Sequence, residues 1–333
     1  MGALGFLFGT FIPEQFFSNI PDTPTDLTGR TYLVTGSNTG IGLALAVQLA
    51  RLNPAHLILA VRDLKKGETA KDEIIAQTGF AGVLEVWQLD MAELASVKGF
   101  ADRANSTLKR LDGAVLNAGI NNWKWETTGD GWEKLLQVNV LSTGLLGVLL
   151  LPLLESTAKL PSLHPNAAQL APHLTITGSN GMFLAKFAEK SAPNMLKTLN
   201  TETGADMFDR YPTSKLFAFF IAREIAKLPR AKDVVVNIVS PGLCSSDLGR
   251  DLNLGPVAAY LVGKLSWSTS KGALNLLYGV LRPTPPAAYI SGGKVEQVSS
   301  WIRGKEAIRA QEQLWAEMLA VWREVAPEVV DFT

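Results

Sequence analysis

The sequence predicts a doubly wound α/β fold, a parallel sheet with helices packed on both faces. Short apolar runs and helix-patterned stretches alternate five or six times between residues 31 and 239. The apolar runs are continuous rather than alternating with polar residues, the mark of strands buried on both faces. Most of them end in Gly, Asp, Asn or Ser-Pro, residues that turn the chain.

Residues 1–13 carry no charged side chain. They are too few to span a bilayer, which takes about 20 apolar residues. No basic stretch follows Met1 and no small-x-small cleavage site is present, so a signal peptide fits poorly. Phe6 stands where a myristoylation pattern needs Ser or Thr. Two readings stay open for this arm. Either Phe6, Leu7, Phe8, Phe11 and Ile12 pack on the folded body, which is favoured, or residues 1–17 touch a membrane interface. Residues 1–28 are accordingly read as an arm and 29–333 as one domain.

After the linker at 21–28, Thr31–Thr35 (TYLVT) reads as a strand closed by Gly36. A helix is expected at 41–52, then a strand at His56–Val61 (HLILAV) and a polar helix at 63–77. The pattern continues with a strand at 83–89, a helix at 93–108 and a short strand at 112–116 before Asn117-Ala118-Gly119. A long helix at 132–156, a strand at 174–178, a helix at 211–228 and a strand at 234–239 before Ser240-Pro241-Gly242 follow. Residues 138–154 are uncharged, but Asn139, Ser142, Thr143, two glycines and Pro152 interrupt them. A buried helix, with a subunit interface as a further use, fits that composition better than a membrane span.

Composition excludes several classes of function. Hydrophobic residues make up 47% and charged residues 19%, enough for a sizeable core. Lys plus Arg is 31 and Asp plus Glu is 31, so composition supplies no basic face for nucleic acid. Cys244 is the sole cysteine, which forbids an intrachain disulfide and fits a reducing, cytoplasmic compartment. One cysteine and three scattered histidines (His56, His164, His173) make no ordinary zinc site, and no metal is expected.

The chemistry starts at Thr35–Gly42, T-G-S-N-T-G-I-G, between the first strand and the first helix of the alternation. Glycines at such a turn let the backbone approach a pyrophosphate at the positive end of a helix. Gly36, Ser37, Asn38, Gly40, Ile41 and Gly42 are therefore candidate nucleotide contacts. Three residues separate the first two glycines, which departs from G-x-G-x-x-G.

Together with Asn117-Ala118-Gly119 and Tyr211-Pro-Thr-Ser-Lys215, this spacing resembles the short-chain dehydrogenase/reductase family over roughly residues 30–300. Within it, Ala60-Val61-Arg62-Asp63, Thr128-Gly-Asp-Gly131 and Glu312-Gln-Leu-Trp315 are similar to the retinol-dehydrogenase-like branch. YPTSK after a long insert looks like fungal members that reduce ketones in secondary metabolism. The resemblance implies a Rossmann-type domain with a C-terminal helix, acting on a small-molecule carbonyl, with a homodimer as a candidate assembly.

The residue closing the second strand should meet the adenosine ribose. An acidic group there selects NAD and an arginine selects NADP. Arg62 lies 20 residues after Gly42 and favours NADP(H). Asp63 is the competing candidate, unless it caps the next helix. The resemblance puts Asp90 and Met91 beside the adenine, although Asp90 also suits a helix start.

Tyr211 and Lys215 are i and i+4, one above the other on a helix face. An ammonium near a phenol is expected to lower its pKa and ready it for proton transfer. Pro212 suggests that Tyr211 lies in the first helical turn. By resemblance, Ser179 holds the substrate oxygen and Asn139 keeps a water on the proton path to Lys215. A polar residue inside so apolar a helix needs a buried partner in any case. Pro241, Gly242 and Leu243 resemble the loop lining the nicotinamide, and Ser246 stands where relatives bond the carboxamide. Cys244 has no positive neighbour in sequence and reads as inert packing.

The departure from the family pattern is the 31-residue stretch 180–210 between Ser179 and Tyr211. It holds nine large apolar residues, among them Phe183, Phe187 and Phe208. It is expected to wall an apolar substrate pocket opposite Trp123 and Trp125, or else to pack against a partner or the arm. The activity expected is NADPH-dependent reduction of a bulky apolar ketone or aldehyde. The alternatives are oxidation of a lipid-like alcohol at a membrane surface and a cofactor-binding scaffold without turnover.

Overall fold

Among the described residues, eight strands form a single sheet in the order β3-β2-β1-β4-β5-β6-β7-β8. The computed structural model describes residues 11–163, 170–245 and 255–332, together with residues 5, 9 and 248. β1 (Thr31–Thr35), β2 (His56–Val61), β3 (Val83–Gln88), β4 (Gly113–Leu116), β5 (His173–Thr177), β6 (Val235–Val239) and β7 (Ala288–Ser291) are parallel. β8 (Lys294–Glu296) closes the edge antiparallel to β7. Gly292 and Gly293 turn the chain between them at φ +59° and +77°, the left-handed geometry that a two-residue hairpin requires.

The chain winds outward from β1 to β3, returns to β4 on the other side of β1, and winds outward again. The loops after β1 and β4 therefore part company and leave a crevice at the carboxyl ends of the strands.

The helices are α1 (Ile12–Phe17), α2 (Gly40–Arg51), α3 (Leu64–Thr78), α4 (Leu94–Thr107), α5 (Lys134–Ala158), α6 (Met195–Leu199), α7 (Met207–Ile225), α8 (Pro256–Leu265), α9 (Thr269–Leu281) and α10 (Lys305–Val325). Leu45, Leu49, Leu276 and Val280, from α2 and α9, pack on one face of the sheet. Val97, Leu145, Leu149, Phe217, Ile221 and Trp322, from α4, α5, α7 and α10, pack on the other.

α5 is long and apolar enough to cross a membrane, but 94% of its most apolar window is buried inside the protein. Trp322 of α10 lies against it, donating from Nε1 to the Leu141 carbonyl at 3.0 Å. A Cβ on Gly144 would stand 2.7 Å from the Trp322 ring, so only glycine admits the tryptophan there. The middle of α5, Gln137–Ser142, is π-helical. Such a bulge changes the helix face, and these often carry functional residues.

Two local readings are corrected. β7 and β8 lie beyond the strands read from sequence. α7 begins at Met207, capped by Asp206, whose carboxylate accepts from the N–H groups of Phe208 and Asp209. Pro212 is thus inside the helix, and Tyr211 lies in its second turn, where little of the end dipole is felt.

Phe6, Leu7 and Phe8 lie outside the described residues. The rest of the arm docks, but not chiefly by its phenylalanines. Gln15 of α1 is buried, whereas Phe16 is 53% and Phe17 80% exposed.

Candidate active site

The crevice is built from the ends of β1, β4, β5 and β6. Gly36 and Gly40 adopt φ +64° and +60°, which favours glycine at both positions. A Cβ on Gly42 would lie 2.6 Å from Asn117 Nδ2, so the loop and the β4 end are in close contact. Asn117 ties them further: its Nδ2 donates to the Thr35 carbonyl at 3.0 Å, and the N–H groups of Asn117 and Ala118 both donate to Thr35 Oγ1 at 2.9 Å.

Ser37 Oγ is buried and finds no hydrogen-bond partner among the described residues. It lies three residues before α2, whose first N–H groups lack intrahelical partners. A donor-rich cradle with an unused hydroxyl and no room for side chains fits the phosphates of a dinucleotide. Asn38 and Ile41 belong to the same turn.

Arg62 follows β2, two residues beyond Ala60, whose carbonyl receives the Gly36 N–H at 2.8 Å. It is exposed, and no acceptor among the described residues pairs with it. Asp63 caps α3, its carboxylate accepting from the Lys66 N–H at 3.1 Å. At the end of β3, the Asp90 carboxylate accepts from the Ala92 N–H at 2.9 Å, and Met91 is buried with its carbonyl on Ser142 Oγ at 2.7 Å.

Asn139, Ser179, Tyr211 and Lys215 converge from three elements. Asn139 sits in the π-helical stretch and pairs with Ile120 through both backbone groups, N–H and carbonyl, each at 2.9 Å. Its Nδ2 also donates to Ser214 Oγ at 3.1 Å. A Cβ on Gly119 would lie 3.2 Å from Asn139 Oδ1 and 3.6 Å from Lys215 Nζ, so these two groups share one small space.

Ser179 Oγ accepts from the Gly181 N–H at 3.0 Å, and a Cβ on Gly181 would lie 3.2 Å from that oxygen and 3.8 Å from the Tyr211 ring, so the serine and the phenol share one corner. Lys215 Nζ donates to the Thr177 carbonyl at 2.9 Å and stands 5.7 Å from the centre of the Tyr211 ring.

The charge balance differs from the expectation. Burial pushes the Tyr211 phenol up to about 12, opposed by the bond from Ser179. Burial pulls the Lys215 ammonium down to about 8. Desolvation is the leading cause at both groups.

Pro241, Gly242 and Leu243 lie just after β6, with Gly242 at φ +79°. Cys244 donates weakly to the Pro241 carbonyl at 3.4 Å, and burial pushes its thiol up to about 12, unsuited to attack as a thiolate. Ser246 lies outside the described residues.

The insert is the main surprise. Met182, Phe187, Met195, Leu196 and Leu199 are buried in the core, not lining an open pocket. Glu317 of α10 accepts from the N–H groups of Met195 and Leu196 at 3.0 and 2.7 Å, so the insert packs on the C-terminal helix of its own chain. Phe187 meets Phe217 edge-to-face with ring centres 4.9 Å apart and adopts φ +45°, held there by Asp209, which accepts from the N–H groups of Lys186 and Phe187. The wall is left to fewer residues: Phe208, 68% exposed, meets the half-buried Trp123 at 4.9 Å. Phe208 is three residues before Tyr211 and so on the same face of α7.

Sequence reading passed over several groups that touch these residues: Glu14, Gln15, the Thr177 carbonyl, Asn180 and Ser240. Their partners are remote in the chain. The one local signal was the polar pair Glu14-Gln15 beside an uncharged arm.

Comparison with known proteins agrees with this architecture. A family model described as short chain dehydrogenase matches residues 30–159. The chain is 41% identical over 260 residues to the short chain dehydrogenase atnD of Emericella nidulans, covering 75% of this chain and 80% of that protein. It is 35% identical over 329 residues to the short chain dehydrogenase/reductase dmxR8 of a Cryptosporiopsis species, covering 96% and 98%. Among solved structures, a chain from Mycobacterium paratuberculosis superposes with a TM-score of 0.64 at 24% identity, covering 90% of this chain and 96% of that one. A short-chain dehydrogenase from Sphingobium yanoikuyae in complex with NADPH superposes with a TM-score of 0.56 at 19% identity, covering 86% and 95%. The structural likenesses show the fold; the fungal relatives show the family. The chain belongs to the short-chain dehydrogenase/reductase family and is an oxidoreductase acting on the CH–OH/C=O pair.

Proposed function

We propose that the protein reduces a bulky, largely apolar ketone or aldehyde to the alcohol with NADPH, in fungal secondary metabolism. The observation that carries this reading is the convergence of Ser179, Tyr211, Lys215 and Asn139 beside a glycine cradle that fits a dinucleotide. When bound, the nicotinamide supplies the hydride.

The chain's own groups supply the rest. Ser179 already accepts from Gly181, so its own proton is available to hold the substrate oxygen. Tyr211, kept as a phenol by burial, gives that oxygen its proton. Lys215 stands over the tyrosine ring, holds the ribose, and is the cation that a tyrosinate would need. Asn139 closes the path along which the proton is replaced. Arg62, free beside a capping Asp63, is the group for a 2′-phosphate. Gly36, Ser37, Asn38, Gly40, Ile41, Gly42, Asp90, Met91, Asn117, Ala118, Gly119 and the Pro241–Gly242–Leu243 turn hold the remainder of the cofactor in this reading. Trp123 and Phe208 select for an apolar body.

A panel of small and bulky carbonyls, assayed for NADPH and NADH consumption, tests the reading. Turnover confined to small polar aldehydes, or to NADH, contradicts it.

The exposed Phe16 and Phe17 favour one second reading, oxidation of a lipid-like alcohol at a membrane surface by a cytoplasmic enzyme. Vesicle binding that requires residues 1–17, with NADP-dependent oxidation of a vesicle-borne alcohol, distinguishes it.

A further inference from the structure

The arm reaches the site from the far end of the chain. Gln15 is 4% exposed, and its amide is spent on two other segments. Nε2 donates to the carbonyls of Leu243 and Leu265 at 2.9 and 2.8 Å, and Oε1 accepts from the Leu243 N–H at 3.1 Å. One side chain thus grips Leu243 at both backbone groups, as a neighbouring strand would. The Gln15 carbonyl accepts from Trp267 Nε1 at 2.6 Å. The Trp267 ring stands 2.8 Å from where a Cβ on Gly242 would lie, so the turn is fenced on that side as well.

Glu14 grips the other loop. Its carboxylate accepts from Asn180 Nδ2 at 2.6 Å and from the Ser291 hydroxyl. Asn180 follows Ser179, and its Oδ1 accepts from the Tyr289 hydroxyl. The N–H groups of Asn180 and Gly242 both reach Ser240 Oγ, at 3.1 and 3.4 Å. The serine loop and the Leu243 loop therefore meet at Ser240 and are held from outside by consecutive residues of one helix.

A helix docked for hydrophobic burial would turn Phe16 and Phe17 inward. Here they face out, while a carboxylate and an amide are buried, at a cost unless fully hydrogen-bonded. The donors on Glu14 are neutral, and the charged groups facing it are Glu296 and Lys294 of β8.

We propose that Glu14 and Gln15 are positioning residues of the active site, through which the arm sets the Ser179 loop and the Pro241–Leu243 turn relative to each other. This rests on the reading above, in which both loops serve the reaction. Freeing either loop by about 1 Å is expected to cost roughly a hundredfold in rate.

The test uses the full chain with Gln15→Met, Glu14→Gln and Phe17→Ala, each measured for kcat, KM, cofactor Kd and melting temperature. Gln15→Met should lose at least about tenfold in kcat and weaken NADPH binding, while 2′-phospho-ADP-ribose, which lacks the nicotinamide, binds as before. Phe17→Ala should match wild type. Burial holds the Glu14 carboxyl above its usual range. Its protonation removes an acceptor from Asn180 or Ser291, so wild-type kcat should fall on the acid side, and Glu14→Gln should lack that limb.

Wild-type kcat and cofactor binding in a folded Gln15→Met, or equal damage from Phe17→Ala, overturns the proposal. If Gln15→Met does not fold, the isosteric Glu14→Gln decides, and an unchanged kcat and acid limb overturns it. A wild type inactive with every carbonyl and either dinucleotide sinks the underlying reading together with this one. An active wild type with indifferent variants sinks this one alone.

Discussion

Asp63 accepts from the backbone N–H of Lys66 at 3.1 Å and so closes the amino end of α3. That bond engages the acidic group that competed with Arg62 for the ribose end of the cofactor. Arg62→Glu should weaken NADPH binding by about 10- to 100-fold, the worth of one charge-assisted hydrogen bond, and leave NADH binding nearly unchanged. Titration of both dinucleotides by fluorescence checks it. Wild-type affinity for NADH at or above that for NADPH would refute the assignment.

Tyr211→Phe removes the transferable proton and little else. Turnover should fall at least about a thousandfold, within the range expected for general acid catalysis, with cofactor Kd within about threefold of wild type. NADPH consumption measures the first and calorimetry the second. Substantial turnover by the phenylalanine variant would falsify Tyr211 as the acid.

Lys215 carries a stability signature of its own. Burial lowers its pKa from 10.5 to about 8, so the folded protein releases this proton before the unfolded chain does. From about pH 8 to 10.5 the unfolded chain holds this proton more tightly, so the contribution of Lys215 to stability rises with pH. Its contribution is about 2 kcal/mol between pH 8 and 10, opposed from about pH 8 by the raised Cys244 thiol and from about pH 9 by the raised Tyr211 phenol. Those opposing groups are shared by Lys215→Met, so urea unfolding at pH 7.5 and 9.5 should show the increment as the difference between wild type and that variant. Parallel curves would mean that Lys215 ionises like a solvated lysine.

The Phe208–Trp123 pair beside the site and the buried Phe187 of the insert should behave oppositely. Phe208→Ala and Trp123→Ala remove exposed apolar surface beside the site, so KM for a bulky ketone should rise more than KM for a small one, by about tenfold for a side chain's worth of contact. Phe187→Ala empties a core position and should instead destabilise the fold by about 3–5 kcal/mol, with KM values little changed. Denaturation and two-substrate kinetics separate these outcomes. A stable Phe187→Ala protein with selective loss of the bulky substrate would return Phe187 to the pocket.

How much was legible in sequence follows from where the signals lie. β1 and β2 were read to the residue, because a strand buried on both faces is an uninterrupted apolar run with a turn at its end. The glycine loop, Asn117, Tyr211 and Lys215 were legible because their geometry depends on spacing along the chain. β7 and β8 were missed because they are short and follow a proline-rich segment. The start of α7 was misplaced because Pro212 suits a first turn, while the true cap, Asp206, lies before an unremarkable stretch. The burial of Phe187 was hidden for a different reason. Hydrophobicity says that a side chain leaves water, but not whether it joins the core or lines a pocket. Gln15 was least legible of all, since its partners Leu243 and Leu265 lie more than 220 residues away.

The tryptophan seated on α5 has a consequence for the order in which the protein is made. A chain leaves the ribosome amino end first, at about 5–20 residues per second. α5 therefore emerges, with its long uncharged surface, well before Trp322 exists to cover Leu141 and Gly144. For those seconds the nascent chain displays a segment that a targeting factor or a chaperone would read as membrane-bound. A premature stop ahead of α10 would make that exposure permanent, so chains shortened there should be cleared as aggregates or by proteolysis rather than persist as weak enzymes.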